Sequence, residues 1–437
     1  QPRFSIGFSC SSHRNIIVWS TMARLRTNSA FQRLTAAYAS NEKGVTIAYI
    51  LIPLVILDLT GSATNAGLVT ALATTASTVA GIMSGAIADR SNPSFLLRLS
   101  FGLEFLLWGL LGLLLWQGTA NVAIIAVLAI ITSAVGAIDG PSEFVILKRI
   151  IPTNQLGEAT AITEARGSTT GLIGTPIGGA LFTLGGHIAF GIQSLLHLIA
   201  IFLVPPVRDA RTTDPEDQPE KPHFLQDVKT GFILVMGNMG LRHLTYVASI
   251  ANLGMVPVSF ILLAELETHS TPPPLIGVIL ACFGGGVLLG APLTAKLTNR
   301  FPLATLLQAA LAIYALTSLA LLVTIHHFWV SAIIVLISGI ALPAMNSAIT
   351  SYTLAVSDEA HVGKVFTASG VPGMILAPLG LWLAGVTLDH YGFTITMGWA
   401  AGALIIALAM SLASPALRAM PKLADFADPA DAEGETP

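Results

Sequence analysis

Long apolar runs separated by short polar breaks extend over most of the chain. Each run is close to the roughly 20 residues that a helix needs to cross ~30 Å of hydrocarbon. Strands of a membrane barrel would alternate apolar and polar residues, which these runs do not do, so the pattern predicts helices. The predicted spans are 31–57, 65–88, 95–116, 120–140, 158–184, 187–205, 242–264, 274–296, 302–324, 328–352, 365–387 and 392–415.

The longest polar stretch between spans divides them into two sets of six. We therefore predict an all-α membrane protein with two pseudo-symmetric six-helix halves. Met22 resembles a natural start, and we assign no function to residues 1–21. The predicted regions are an N-terminal extension over 1–29, a first half over 30–205, a linker over 206–240, a second half over 241–415 and an acidic tail over 416–437.

An internal repeat relates the two halves. Residues 67–90 align without gaps to residues 277–300 at an offset of 210, and both segments run from small residues into a basic turn. A second repeat joins residues 171–178 to residues 373–380 at an offset of 202. Repeated halves of this kind typically hold a binding site between them.

Composition supports a membrane protein and excludes several functions. Of the 437 residues, 53% are hydrophobic and 10% are charged, whereas a soluble domain has about 25% charged residues. The net charge of −3 comes without a basic tract, so we expect no nucleic-acid partner. Cys10 and Cys282 provide neither a disulfide framework nor a metal site, and we expect no metal and no cofactor.

The placement of lysine and arginine predicts an orientation. With a cytoplasmic N-terminus, 19 of the 21 Lys and Arg residues fall in cytoplasmic segments or at the cytoplasmic ends of spans, and the other two, Lys43 and Arg166, fall deeper within spans. Because cytoplasmic loops carry such an excess, we expect an even number of spans and both termini in the cytoplasm. We expect a monomer that crosses the inner or plasma membrane many times, in contact with the lipid bilayer.

The turn after the second predicted span is a candidate gate. Gly85, Asp89, Arg90 and the later Arg98 resemble the loop 2–3 signature of the major facilitator superfamily. The resemblance implies a cytoplasmic latch, in which Asp89 caps a helix end or pairs with an arginine in one conformer only. The alternative interpretation is an ordinary hydrophilic turn with the usual cytoplasmic charge.

The fifth predicted span has a stripe of small residues around a proline, and it resembles the antiporter motif of exporters in the same superfamily. Small residues allow close helix packing, and the proline bends the helix. Packing alone would leave import and export equally open, whereas the resemblance implies export. The motif residues are Gly171, Gly174, Pro176, Gly178 and Gly179.

Two further segments, 57–62 and 140–161, resemble the bacterial subgroup of macrolide-efflux-like proteins and the enterobactin exporter. The resemblance covers about 30–415 and implies twelve helices and exchange of a small-molecule substrate for protons, with the proton gradient as energy source. We therefore expect efflux of a hydrophobic or amphipathic compound by alternating access. The alternatives are an importer or a metabolite or siderophore facilitator of the same fold, and a non-transporting membrane scaffold or receptor. Without a P-loop, an HExxH motif or a nucleophile elbow, we do not expect an enzyme.

Charged residues inside the predicted spans are candidates for proton coupling or substrate contact, because a charge at a helix centre costs roughly 2.5–3.5 kcal/mol on insertion scales. These candidates, Glu42, Lys43, Glu104 and Arg166, all lie in the first half. From the third residue of the seventh span onward, the predicted spans of the second half contain no Asp, Glu or Arg, and their only Lys is Lys296.

The candidates differ in their expected roles. Glu42, near mid-depth of the first span, is the leading candidate for the proton or for a cationic substrate, and the alternative is a structural salt bridge. We expect Glu104 to lie on a helix that is peripheral to the cavity. For Arg166 we expect a structural pair with Asp139 or Glu143 rather than substrate contact. Asp139 and Glu143, near the inner end of the fourth span, are also candidates for gating.

Overall fold

The computed structural model shows a bundle of helices. It describes residue 25 and residues 28–152, 155–207, 224–358 and 361–422, and for Ala86, Asp89, Arg90 and 224–228 it describes only the backbone. Most of the predicted extension over 1–29, the first part of the linker and most of the acidic tail lie outside the described residues. No strand occurs within the described ranges.

Helices account for nearly all of these residues. In chain order they are α1 Ser29–Thr60, α2 Ala63–Arg90, α3 Pro93–Trp116, α4 Val122–Gly136, α5 Asp139–Ile150, α6 Leu156–Phe182, α7 Gly186–Leu203, α8 Phe224–Gly237, α9 Met239–Thr268, α10 Pro273–Arg300, α11 Leu303–Thr324, α12 Phe328–Ala355, α13 Val362–Ala413 and α14 Pro415–Arg418.

Polar side chains explain where several helices begin. Asn28, Ser62, Asn92 and Asn238 each accept a hydrogen bond from a backbone N–H in the first turn of α1, α2, α3 and α9. Such a cap satisfies one of the donors that a helix start leaves unpaired. Asn28 and Asn238 are 210 residues apart, so the repeat seen in the sequence extends to the helix caps.

These helices provide about twelve membrane spans. Ten segments are long and apolar enough to cross a membrane, with α4 and α5 counted as one segment and α13 counted once. The 27-residue α6 is long enough to be an eleventh span, and its charged residues lower its hydropathy. Gly392 interrupts α13 with a φ of 75° and a ψ of −179°, a conformation that favours glycine, so α13 supplies two spans. The predicted all-helical fold is confirmed.

The spans form two halves with matching helices. We call α1–α7 the N-half and α9–α13 the C-half. α2 and α10 are both 28 residues long, and they end at Arg90 and Arg300, which are 210 residues apart. Between the halves, α6 packs against α10 and α2 packs against α13.

Close contacts show which helix ends lie together. Gly186, the first residue of α7, lies against Val55 near the end of α1, so the turn after α6 lies near the start of α2. Gly179 of α6 lies against Pro273, the first residue of α10. The last residues of α2 and α10, both arginines, therefore share one end of the bundle. We call this end the basic end and the other end the opposite end.

One helix was not predicted. The C-terminal part of the predicted linker forms α8, in which Val235 is fully buried. Gly231 of α8 packs against the backbone of Lys364 at the start of α13. At 14 residues α8 is too short to cross a bilayer, which is why a search for runs of membrane length does not find it.

The helices of the C-half extend beyond the predicted spans, and the extensions contain acidic residues. α9 extends past the predicted end at residue 264, and α13 extends past the predicted end at residue 387. Glu265, Glu267 and Asp389 therefore lie within helices. All three are near the opposite end of the bundle, where a helix can continue beyond the hydrocarbon because its polar side chains reach the interface.

Candidate polar network and cavities

A buried arginine joins two carboxylates in the N-half. Arg166 of α6 bonds Glu42 of α1, with Nε 3.0 Å from Oε2 and Nη2 2.8 Å from Oε1. It also bonds both oxygens of Glu143 on α5, at 2.7 and 3.1 Å. The planar guanidinium group favours this arrangement because its donors match carboxylates in pairs. We call Glu42, Glu143 and Arg166 the charged cluster, and the pairing expected between Arg166 and Glu143 is confirmed.

Tyr38 connects the charged cluster to Asp139. The ring centre lies 4.8 Å from the guanidinium carbon of Arg166, close enough for the ring face to attract the cation. The Tyr38 hydroxyl donates a hydrogen bond to the backbone carbonyl of Asp139, where α5 begins. One buried side chain thus positions Arg166 and the start of α5 together.

A second set of buried polar residues adjoins the first. Nδ2 of Asn41 donates a hydrogen bond to Oδ2 of Asp139 at 3.0 Å. Oδ1 of Asn41 lies 2.7 Å from Nδ1 of His197 on α7. The same Nδ1 lies 3.2 Å from Oε2 of Glu104 on α3. We call Asn41, Glu104, Asp139 and His197 the His197 cluster, and all four residues are buried.

The hydrogen bonds assign a proton to Nδ1 of His197. Because Nδ2 of Asn41 donates to Asp139, the Asn41 atom that faces His197 is an acceptor, and Nδ1 must donate to it. Nδ1 has one hydrogen, so its approach to Glu104 is a charge contact rather than a second hydrogen bond. Oε2 of Glu104, Nε2 of His197 and Oδ1 of Asp139 have no hydrogen-bond partner. Since buried polar atoms are nearly always paired, three such atoms in one cluster indicate a place where protons can bind.

Two glycines make room for the His197 cluster. A Cβ added at Gly44 of α1 would lie 2.7 Å from Nε2 of His197, and one at Gly136 of α4 would lie 2.9 Å from Oε1 of Glu104. Both distances are shorter than ordinary van der Waals contact. Larger residues at either position would displace the imidazole or the carboxyl group.

Glu104 borders a cavity inside the N-half, which we call the N-cavity. It has a volume of about 350 Å³ and lies between α1, α2, α3 and α4. Trp108 forms another part of its wall and stacks on Phe190, with ring centroids 5.4 Å apart. α3 turns the face that carries Glu104 toward α4, so Glu104 borders this cavity within the N-half. The expectation that α3 is peripheral to the cavity between the halves stays a prediction. The hydroxyl groups of the wall belong to Tyr49, Thr70, Thr74, Ser77, Thr78, Thr132 and Ser133.

A second cavity, the C-cavity, occupies the matching place in the C-half. It has a volume of about 230 Å³, lies between α9, α10, α11 and α12, and has mostly apolar walls. Tyr314 of α11 lines it at the position that corresponds to Glu104, 210 residues later. Tyr49 of α1 lines both cavities, and half of its surface is exposed.

The small residues of the antiporter-like motif pack α6 against two helices. Gly174 and Gly178 face α1, and a Cβ at Gly174 would lie 2.8 Å from the side chain of Thr46. Gly179 lies against the backbone of α10, and Gly277 of α10 lies against the backbone of α6 beside Pro176. These approaches leave no room for a side chain, so glycine brings the backbones of the two halves together near the opposite end.

A carboxylate also joins the halves at the opposite end. Asp389 of α13 accepts hydrogen bonds from Oγ of Ser62 at 2.8 Å and from the backbone N–H groups of Ala63 and Thr64 at 2.8 and 2.9 Å. It thereby caps α2, whose first N–H groups have no partner within the helix. Near the basic end, by contrast, a Cβ added at Gly85 would have no heavy atom within 4 Å.

Other predicted site residues lie apart from these clusters. Lys43 is exposed. Arg98 donates a hydrogen bond to the backbone carbonyl of Val204, after the end of α7, at 2.8 Å. The side chains of Asp89 and Arg90 lie outside the described part of the chain, so the latch stays a prediction.

Sequence reasoning missed two residues at the centre of the site, Asn41 and His197. Both are neutral residues within apolar helices, where a single polar side chain usually satisfies a local hydrogen bond. Their spacing along the chain does not show that they meet, because 156 residues separate them. The signal that could have found them was the presence of uncommon polar types at the same depth as Glu104.

Known proteins with similar sequences are efflux proteins. Multidrug efflux pump Tap of Mycolicibacterium fortuitum is 27% identical over 380 residues, which cover 84% of this chain and 90% of that protein. Macrolide efflux protein A of Streptococcus pyogenes is 21% identical over 275 residues, which cover 62% of this chain and 67% of that protein.

Solved structures with the same fold are transporters. A bacterial homologue of the human lysosomal transporter Spinster, in an inward-facing and unoccupied conformation, matches with a TM-score of 0.69 at 18% identity, over 92% of this chain and 98% of that chain. The nucleoside transporter NupG matches with a TM-score of 0.71 at 11% identity, over 88% of this chain and 98% of that chain. At these identities the likeness concerns the fold alone.

The sequence model of the Major Facilitator Superfamily matches residues 34–262 and 242–434, which together cover nearly the whole chain. This match agrees with the two related halves, the membrane-length helices and the efflux relatives. The chain is therefore a multi-pass membrane transporter that belongs to the Major Facilitator Superfamily.

Proposed function

We propose that the protein exports hydrophobic or amphipathic small molecules in exchange for protons, by alternating access between its two halves. The observation that carries this proposal is Glu104, a buried carboxyl group that borders a cavity and has an oxygen without a partner. Such a group can hold a proton in one conformation and release it in another. Export is supported by the antiporter-like motif and by the names of the relatives, which describe multidrug and macrolide efflux.

The balance of charges supports proton binding in the N-half. The two adjoining clusters contain four carboxyl groups and one guanidinium group, which is bonded to two of them. Full ionisation would leave excess negative charge away from water, which is unfavourable by several kcal/mol per ion in typical proteins. Glu42 and Glu143 are both bonded to Arg166. We therefore place the exchangeable proton in the His197 cluster, on Glu104, Asp139 or Nε2 of His197.

This proposal changes the part assigned to Glu42, the leading coupling candidate in the sequence. Both carboxylate oxygens of Glu42 are hydrogen-bonded to Arg166, and Arg166 is hydrogen-bonded to Glu143 at the same time. Protonation of Glu42 would weaken one of these two pairs and loosen α1 from α6. Protonation of the charged cluster would then change the position of α6, the helix that packs against the C-half. Asp139 and Glu143 would act in gating through α5.

The structure supports access from the basic end. We place the basic end in the cytoplasm because Lys and Arg residues concentrate on the cytoplasmic side of membrane proteins. Asp389 and the glycine contacts between α6 and α10 join the halves at the opposite end. We therefore propose that the protein is open toward the cytoplasm in this conformation and closed toward the outside.

Transport by purified protein in proteoliposomes tests the proposal. An imposed pH gradient would drive labelled erythromycin, a macrolide, while a pH-sensitive dye follows proton movement. We expect Glu104→Gln to lower gradient-driven transport about tenfold or more, because an amide cannot bind and release the proton that drives export. Exchange of labelled for unlabelled erythromycin without a gradient should persist.

Glu265→Gln is the matched control, since Glu265 is a carboxyl group of the C-half outside both clusters. Gradient-driven transport by Glu104→Gln at the wild-type rate would remove Glu104 from coupling. Wild-type protein that moves no protons with the drug would reject proton-driven export altogether.

A further inference from the structure

The two cavities are repeats of one site that now differ in chemistry. The N-cavity lies between the first four spans of its half, and the C-cavity lies between the corresponding four helices of the other half. At an offset of 210 residues, Glu104 corresponds to Tyr314 and Trp108 corresponds to Ser318. An acid is thus replaced by a neutral phenol, and a large indole is replaced by a small hydroxyl.

We propose that the C-cavity is a subsite for the exported compound, and that it binds an uncharged ring group with one hydrogen-bond acceptor. This inference rests on the proposed export function. Among the described residues, those that line the C-cavity carry no charge, so an ionised group would enter it unpaired, at a high free-energy cost. Most of its wall is hydrocarbon, contributed by residues such as Leu262, Leu280, Phe283, Leu321, Val335 and Leu342.

The acceptor of the ligand would bond to Tyr314. Its hydroxyl group is buried and has no hydrogen-bond partner, and the residue is 4% exposed. The hydroxyl groups of Thr317 and Ser338 already donate to backbone carbonyls, each at 2.7 Å. A buried hydroxyl group without a partner is unfavourable, and an ether or carbonyl oxygen on the ligand would satisfy it.

Tyr49 connects this subsite to the proton site. It belongs to α1 of the N-half, yet it forms part of the wall of the C-cavity as well as the N-cavity. A ring in the C-cavity therefore touches the residue that also borders the cavity of Glu104. When the halves move relative to each other, Tyr49 moves with the N-half and the C-cavity changes shape. Ligand binding and conformation are linked at this residue.

Binding of 1-methoxynaphthalene, an uncharged two-ring compound with one ether oxygen, tests the subsite. A ligand that binds only the folded protein raises its melting temperature. We expect a saturable rise for the purified wild-type protein and for Leu316→Trp, whose side chain is on the exposed face of α11. Ser318→Trp, which fills the C-cavity, should show no rise. Tyr314→Phe should bind with an affinity that is roughly threefold to tenfold lower.

A second measurement connects binding to export. The compound should inhibit erythromycin exchange by the wild-type protein and by Leu316→Trp in proteoliposomes, and it should not inhibit exchange by Ser318→Trp. If Ser318→Trp does not fold, Ser318→Leu narrows the same wall, and Tyr314→Phe provides an independent readout.

Each outcome decides the inference. An equal rise in melting temperature for Ser318→Trp and wild type, or no rise for wild type, overturns the subsite. Binding that leaves erythromycin exchange unaffected overturns its role in export. A failure of proton-driven export would be seen separately, because the melting measurement uses no gradient.

Discussion

The N-half and the C-half have matching spans in the same order, but the N-half combines apolar packing with a buried polar network, whereas the C-half relies on apolar packing. In the N-half a polar network runs through α1, α3, α5, α6 and α7. At matching depth the C-half has an apolar core that includes Leu307, Leu311, Met345 and Leu404. Among the described residues of the C-half, acids lie within helices only near the opposite end. The comparison teaches that span length sets the architecture, while a few replacements such as Glu104 for Tyr314 set the chemistry.

Removing Arg166 should have the largest effect, because the N-half then keeps the buried carboxylate of Glu143 and the partly exposed carboxylate of Glu42 without their cation. We expect Arg166→Gln to destabilise the protein by about 3–5 kcal/mol, the usual range for breaking a buried pair. Thermal unfolding in detergent would measure this loss. Adding Glu42→Gln and Glu143→Gln should restore much of the stability. A triple variant as unstable as Arg166→Gln alone would contradict the charge argument.

The glycine contacts between the halves should come next. A Cβ at Gly277 would enter the backbone of α6, so we expect Gly277→Ala to lower stability or the fraction of closed protein by about 1–3 kcal/mol. Gly171→Ala is the matched control, since an added Cβ there would meet no heavy atom within 4 Å. Melting temperature and erythromycin exchange should both respond to Gly277→Ala and not to Gly171→Ala.

Asp389 offers a smaller test of the same interface. Losing a side-chain cap costs about 0.5–2 kcal/mol, so Asp389→Ala should shift the population away from closure at the opposite end. Distances between spin labels on the two halves at that end would measure the shift. Asp389→Asn keeps one acceptor oxygen and should have an intermediate effect. Unchanged distances in Asp389→Ala would show that the glycine contacts suffice for closure.

Removing one tyrosine hydroxyl group from each half compares the stability of the two halves most directly. Tyr38→Phe removes a hydrogen bond to the Asp139 carbonyl and should cost about 0.5–1.5 kcal/mol. Tyr314→Phe removes a hydroxyl group that has no partner, so its melting temperature should be unchanged or slightly higher. Equal losses in the two variants would mean that the Tyr314 hydroxyl has a partner in solution.

The helices were predictable because an apolar run of membrane length has few alternatives to a helix. The turn between the last two spans was also placed correctly, close to Gly392. α8 was not predicted, because a short helix that packs on its neighbour needs no membrane-length run. Asp389 was placed in a loop, since hydropathy does not show how far a helix continues beyond the hydrocarbon.

The polar network was only partly predictable. The cost of burying charge singled out Glu42, Lys43, Glu104 and Arg166. Lys43 is exposed, and the other three are in the network. The contact partners of these residues were harder to predict, because contacts such as that between Asn41 and His197 depend on which helix faces meet. Glu104 lies in the middle of α3, as the sequence predicted. Its direction toward a cavity depends on the rotation of α3 about its axis, which apolar periodicity does not fix when a helix is apolar on all sides.

At Gly179 and Gly277 the contact between α6 and α10 is glycine against backbone. Ordinary helix pairs fit ridges into grooves, and one helix must climb over the side chains of the other to slide or tilt. The glycine surfaces of α6 and α10 avoid that barrier, so the two halves can move past each other without changes in side-chain rotamers. The rate of the conformational cycle would then be set by proton binding and release rather than by the energy barrier to movement at the α6–α10 interface.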